Sequence, residues 1–160
     1  MMNVKVAHDI NILIIFYSLS GNTRNFANII KNKLNNQGYE VHFHALDKNH
    51  SYKYLNFEQH NLIFIGSPTY GVGGTPNLVK DLLRHLLKEN HFKLPPFAVF
   101  GTGETQYGEH VFCRAVDEIE YHLNKYKQSV IDKLKIEQNP VNKRDIIKIE
   151  KFVENVLRGI

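Results

Sequence analysis

The residues with the most chemistry in them are Ser18, Leu19, Ser20, Gly21, Asn22 and Thr23, which lie between an apolar run, Ile12–Phe16, and an amphipathic helical pattern. Three hydroxyls, a glycine and a carboxamide are thus packed into a strand-to-helix turn. The first amides of a helix have no intrahelical acceptor and lie at the positive end of its dipole. A turn of this kind is a ready anion site. Simple capping would need only Ser20 or Asn22. Four side-chain donors in one turn point instead to a bound anion.

Two further loops have the same polar, glycine-rich character. Gly66-Ser67-Pro68-Thr69-Tyr70-Gly71-Val72-Gly73-Gly74 follows a second apolar run, and Gly101-Thr102-Gly103-Glu104-Thr105-Gln106-Tyr107-Gly108 follows a third. Tyr70 and Tyr107 could stack on the two faces of a planar ring, and Gly71 could take a positive φ at little steric cost. Together the three loops describe a pocket for a flat aromatic phosphate ester. Other phosphate chemistries are excluded. No Gly-Lys-Ser/Thr sequence ends a glycine-rich loop, and no Gly-x-Gly-x-x-Gly follows the first strand. Phe16 and Tyr17 occupy the first strand end, where a phospho-receiver domain needs acids. The single cysteine, Cys113, lies outside the first loop and at the spacing of a helical apolar face, as a core thiol would. Nine histidines include the strand pair His42 and His44, but no companion ligands complete a metal set.

The elements that must position these loops follow from periodicity. Asn11–Phe16, Asn61–Gly66 and Pro96–Gly101 are continuous apolar runs, as expected of parallel strands covered on both faces. Tyr39–Ala45 alternates, and Ser129–Glu137 reads as a last, bent strand. Helical spacing recurs at Phe26–Leu34, at Leu78–Leu87 behind an opening Pro76, at Phe112–Leu123, and at Ile146–Leu157. Strands alternating with helices five times predict a single α/β domain over residues 1–160, with its core at 11–158. The expected architecture is a doubly wound three-layer sandwich around a five-stranded parallel sheet, order 2-1-3-4-5. In such a sheet, ligands bind beyond the carboxyl ends of the strands, where all three loops fall.

Composition narrows the class. With 42% hydrophobic and 22% charged residues the chain has the make-up of an ordinary globular domain. No apolar run approaches the roughly 20 residues of a membrane span, and Met1–Ile10 lacks a signal-peptide core. One cysteine makes the cytoplasm the expected compartment. The net charge of +4 is spread over scattered lysines, which predicts a solvated surface and no nucleic-acid groove.

With these loops in place, the chain resembles the flavodoxins, small proteins that hold flavin mononucleotide (FMN). The likeness covers residues 11–158. It is carried by Ser18–Thr23, by Gly101–Gly108 continuing into Phe112-Cys113-Arg114-Ala115-Val116-Asp117, and by the ending Leu134–Glu137 of the short-chain branch. The resemblance implies that Ser18, Ser20, Asn22 and Thr23 hold the flavin phosphate, with Leu19 and Gly21 in the same turn. It implies ring stacking by Tyr70, where the family usually has tryptophan, and by Tyr107. Gly71 would offer its carbonyl to the protonated ring nitrogen of the reduced flavin. Glu104 would stand near the uracil edge, where an aspartate is common. Ser67, Pro68, Thr69, Thr102, Gly103 and Cys113 complete the implied cofactor-binding set.

The implied function is low-potential one-electron transfer between a flavodoxin or ferredoxin reductase and redox acceptor proteins, by a monomer that is a carrier rather than a catalyst. The alternatives are a flavodoxin-like activator of manganese ribonucleotide reductase, which reacts with dioxygen, and a flavin-dependent quinone reductase. Two departures stand out: family members are usually acidic, and Val72 occupies a position where an acid often follows the glycine. Fewer anions near the flavin predict a less negative potential than in an acidic relative, and Val72→Asp is expected to lower it.

Overall fold

Five of the runs become strands: β1 Asn11–Phe16, β2 Glu40–Ala45, β3 Leu62–Pro68, β4 Phe97–Gly103 and β5 Val130–Glu137. The computed structural model describes residues 9–71, 73–137 and 142–160. In it the strands form one parallel sheet in the order β2-β1-β3-β4-β5. The expected doubly wound sandwich is therefore what forms. The N-terminal segment 1–8 and Val72 lie outside the described residues.

Because the central strands are apolar on both faces, each face must be covered. Helices α1 (Asn22–Asn36) and α4 (Lys143–Arg158) cover one, burying Phe26, Ile30, Leu34, Ile149, Phe152 and Val156 against Ile12, Ile14 and Phe16. Helices α2 (Asn77–Arg84) and α3 (Arg114–Lys125) cover the other, burying Val79, Leu82, Val116 and Ile119 against Leu13, Ile15 and Ile63. An Asn142–Asp145 capping box starts α4. Among the described residues, no helix is long and apolar enough to cross a membrane.

The structure corrects four details. The strand–helix alternation breaks between β2 and β3, where two short 3-10 turns, Ser51–Tyr54 and Phe57–Gln59, make the crossover. Asp47 explains part of this: its carboxylate accepts from the Asn49 amide at 3.0 Å and the Ser51 hydroxyl at 3.1 Å, which favours a turn over a helix. Tyr52 and Phe57, both buried, anchor the crossover to the core. Pro76 stands just outside α2 with ψ 142° rather than in its first position. The helical pattern beyond Arg84 continues as a π turn, His85–Glu89. Helix α3 starts at Arg114, and Cys113 precedes it in a left-handed conformation (φ 49°). The bend expected in the last strand is a register shift: Phe97 pairs with Val130 but Ala98 with Asp132, so Ile131 is skipped.

Registers Phe16↔Gly66 and Pro68↔Thr102 bring the carboxyl ends of β1, β3 and β4 side by side. The three polar loops therefore leave the sheet as neighbours.

Candidate functional site

Gly21 turns the chain into α1 with φ 96°, a conformation that costs glycine little and other residues about 1 kcal/mol or more. Neither Ser20 nor Asn22 caps the helix. Ser18 does so from outside: its Oγ accepts from the amides of Gly21 and Arg24, each at 3.2 Å. Ser20 Oγ accepts from Asn22 Nδ2 at 3.1 Å. Thr23 Oγ1 and Thr102 Oγ1 lie 2.9 Å apart, both residues buried, and tie the first loop to the end of β4.

These bonds decide what the loop can bind. A hydroxyl has two lone pairs and one hydrogen. The Ser18 lone pairs are taken by two amides, and Ser20 is already accepting, so each keeps its hydrogen to donate. Among the described residues neither hydroxyl has a protein acceptor. The Thr23–Thr102 pair spends one hydrogen of two. The turn thus offers more free donors than acceptors at a helix N-terminus, which suits a phosphate.

Beside it lies a cavity of about 180 Å³ lined by Leu19, Ser20, Pro68, Thr69, Tyr70, Gly71, Glu104, Tyr107 and Val111. All three loops contribute, and both tyrosines are partly exposed there (Tyr70 38%, Tyr107 49%). Tyr70 is held in place. Its amide donates to Gly74 O at 2.8 Å, the Gly73 and Gly74 amides donate back to its carbonyl at 2.9 Å, and its phenol lies near that of Tyr17. Partial burial, and then Tyr17, push the Tyr70 phenol up to about 12. Gly71 sits in this tight turn with φ 42°. Glu104 is the one carboxylate of the lining, and its side chain accepts from the Gln106 amide. The third loop is fastened to β5 by the Thr105 amide, which donates to Glu137 at 3.1 Å.

The remaining sequence-selected residues lie behind the cavity. Ser67 and Thr102 are buried, and Ser67 Oγ donates to the Pro68 carbonyl at 2.8 Å. Thr69 lines the cavity with one side while its hydroxyl accepts from the Ala115 amide at 2.9 Å, capping α3. Gly101 has to be glycine: a Cβ there would stand 2.5 Å from Val116 and 2.6 Å from the Ser67 carbonyl. Gly103 packs against the backbone of Cys113. The Cys113 thiol donates weakly toward the carbonyls of Gly101 (3.7 Å) and Ile136 (3.6 Å), and burial pushes its pKa up to about 12. It is a protonated core thiol adjoining the site. Sequence reasoning missed two residues. Val111 opens the apolar triplet Val111-Phe112-Cys113 and carries no polar chemistry to mark it, and Tyr17 acts through a side chain whose direction the sequence does not carry.

Known proteins share this fold. The flavodoxin family profile matches residues 14–149. The chain is 31% identical over 131 residues to a probable flavodoxin 2 of Bacillus subtilis (strain 168), covering 81% of this chain and 83% of that protein. Oxidised flavodoxin 2 from Bacillus cereus superposes with a TM-score of 0.80 at 30% identity, covering 94% of this chain and 99% of the other. A Fusobacterium nucleatum flavodoxin bound to flavin mononucleotide shares the fold, with a TM-score of 0.75 at 16% identity and coverage of 94% and 98%. A family match across most of the chain, on a sheet of the same strand order, makes this protein a member of the flavodoxin family of FMN-binding electron carriers.

Proposed function

We propose that this chain is a low-potential one-electron carrier that holds FMN noncovalently and passes electrons from a flavodoxin or ferredoxin reductase to acceptor proteins, as a cytoplasmic monomer. The observation that carries the reading is the donor-rich turn Ser18–Thr23 beside a cavity walled by two tyrosines. FMN, when bound, supplies the capacity to take up and release one electron at a time.

Every other task falls to the chain. Ser18, Ser20 and the first amides of α1 donate to the phosphate. Tyr70 and Tyr107 present aromatic faces to the ring and keep water from it. The Tyr70–Gly74 backbone turn fixes in advance the segment that carries one of those faces, so less conformational entropy is lost on binding. Gly71 offers its carbonyl as an acceptor for a ring N–H in the reduced state. Glu104, the single carboxylate of the lining, puts less negative charge beside the ring than several acids would. Added electron density is then less strongly opposed, and the potential is less negative than in an acidic relative.

The test is stepwise reduction of the FMN-loaded protein, followed by visible absorbance, with a reductase and an acceptor supplied afterwards. Accumulation of a one-electron-reduced form and its turnover by the acceptor support the carrier. Direct two-electron bleaching, or rapid productive consumption of dioxygen by the reduced protein, would overturn it.

A further inference from the structure

The groove between α3 and α2 with its π turn brings four cationic side chains together. It encloses about 260 Å³ and shares no residue with the tyrosine cavity. Lys80, Arg84 and Lys88 line one wall at four-residue spacing, and Lys125 lines the other. Against these stands one lining carboxylate, Glu118, so the lining is net positive, 4 − 1 = +3 with histidine neutral. Glu118 is already engaged, accepting from the Thr75 hydroxyl and lying 3.8 Å from His122 Nε2. Arg84 is shared with Asp81 at 3.6 Å. Among the described residues, Lys80, Lys88 and Lys125 have no carboxylate partner.

The segregation is a property of the helix. His85, one residue beyond Arg84, turns the other way: it packs on Tyr52 at 5.4 Å and Phe57 at 6.0 Å, and it pairs with Glu89 at 3.1 Å. One face of this element therefore carries cations while the next is spent on the core. Between the cations the lining includes the half-buried Leu87 and Tyr126, with the buried Leu83 beneath them.

We infer that this groove is a docking surface for an acidic segment of a partner protein. The partner's carboxylates face Lys80, Lys88 and Lys125, and an apolar side chain sits against Leu87 and Tyr126. Charge complementarity selects the sign of the partner. The leucine lining selects a peptide over a nucleic acid, because a phosphate backbone gains nothing from it. The inference does not depend on the flavin, since no groove residue belongs to the flavin site.

The experiment is NMR titration of the 15N-labelled full-length protein with a synthetic peptide of alternating glutamate and leucine. Parallel titrations use the same peptide with leucine replaced by serine, and an oligothymidine of equal charge. The expected result is amide shifts confined to residues 80–88 and 118–126. The double variant Lys80→Glu/Lys88→Glu is expected to weaken binding at least about tenfold. Raising salt from about 50 to about 200 mM, and replacing the peptide leucines, should each weaken it several-fold. Lys125→Glu, on the opposite wall, gives an independent second variant, and thermal unfolding checks that each variant is folded. Absence of groove shifts with the glutamate–leucine peptide, or unchanged affinity in both variants, overturns the inference. Groove shifts with oligothymidine alone overturn it in favour of nucleic acid.

Discussion

Ser18 decides the chemistry of the first loop through its two lone pairs. With both occupied by the Gly21 and Arg24 amides, its hydrogen is committed outward. Ser18→Ala removes that donor and leaves two amides uncapped. A hydrogen bond to a charged group is worth about 1.5–3 kcal/mol, so FMN affinity is expected to fall about 10- to 100-fold in calorimetric titration. Riboflavin, which lacks the phosphate, is expected to bind the variant as well as the native protein. An equal loss for both ligands would assign the hydroxyl to loop folding instead. Cys113 yields a second prediction at this scale. Its raised pKa keeps the thiol protonated at neutral pH, so a thiol-specific reagent at about pH 8 is expected to spare the folded protein and label the unfolded one. Prompt labelling of the folded chain would contradict the burial described for it. The hydroxyls and tyrosines of this site were legible in the sequence because their types alone imply donors and stacking faces. The Ser18 cap and the approach of Tyr17 to Tyr70 were not, because both depend on side-chain direction.

Among the elements, the β2–β3 crossover departs furthest from the regular pattern, and it stays in place through Tyr52 and Phe57. Phe57→Ala opens a cavity under two short turns with no helix to reinforce them, and is expected to cost about 3–5 kcal/mol in denaturant unfolding. A loss below about 1 kcal/mol would show that the crossover is not integral to the core. The same edge of the sheet carries a pH response. Burial lowers the pKa of His44, helped by His42, and burial lowers that of His60 against its bond to the Asn56 carbonyl. The folded chain therefore holds both neutral, while the unfolded chain takes up protons below about 6.5. Their stabilisation is full above that pH and is lost as pH falls through the lowered folded values. Unfolding midpoints measured from pH 7.5 to 5 are expected to decline below about 6.5, and to decline less in a His44→Gln/His60→Gln variant. An equal decline in that variant would contradict the assignment. Strands β1, β3 and β4 were legible because a two-sided buried strand needs an unbroken apolar run. The crossover was not, because a run such as Ser51–Gln59 has no period and is ordered only by what its aromatic residues reach.

At the scale of the whole molecule, strand order and loop placement are one fact. Parallel strands with their carboxyl ends in register converge three separate sequence segments, and only their convergence turns a generic anion turn into a site for a stacked phosphate ester. The +4 total says little about where charge lies: the tyrosine cavity is lined by one carboxylate, and a separate groove by four cations and one carboxylate. That division was not readable from scattered lysines, because the stripe Lys80, Arg84 and Lys88 becomes a wall only when α3 lies opposite. Anchoring of the flavin through its phosphate is tested most directly by titrating the flavin-free protein with FMN and with riboflavin while following flavin fluorescence. The geometry predicts one-to-one binding with FMN held at least about tenfold tighter than riboflavin. Failure to take up FMN, or equal affinity for the two, would contradict it.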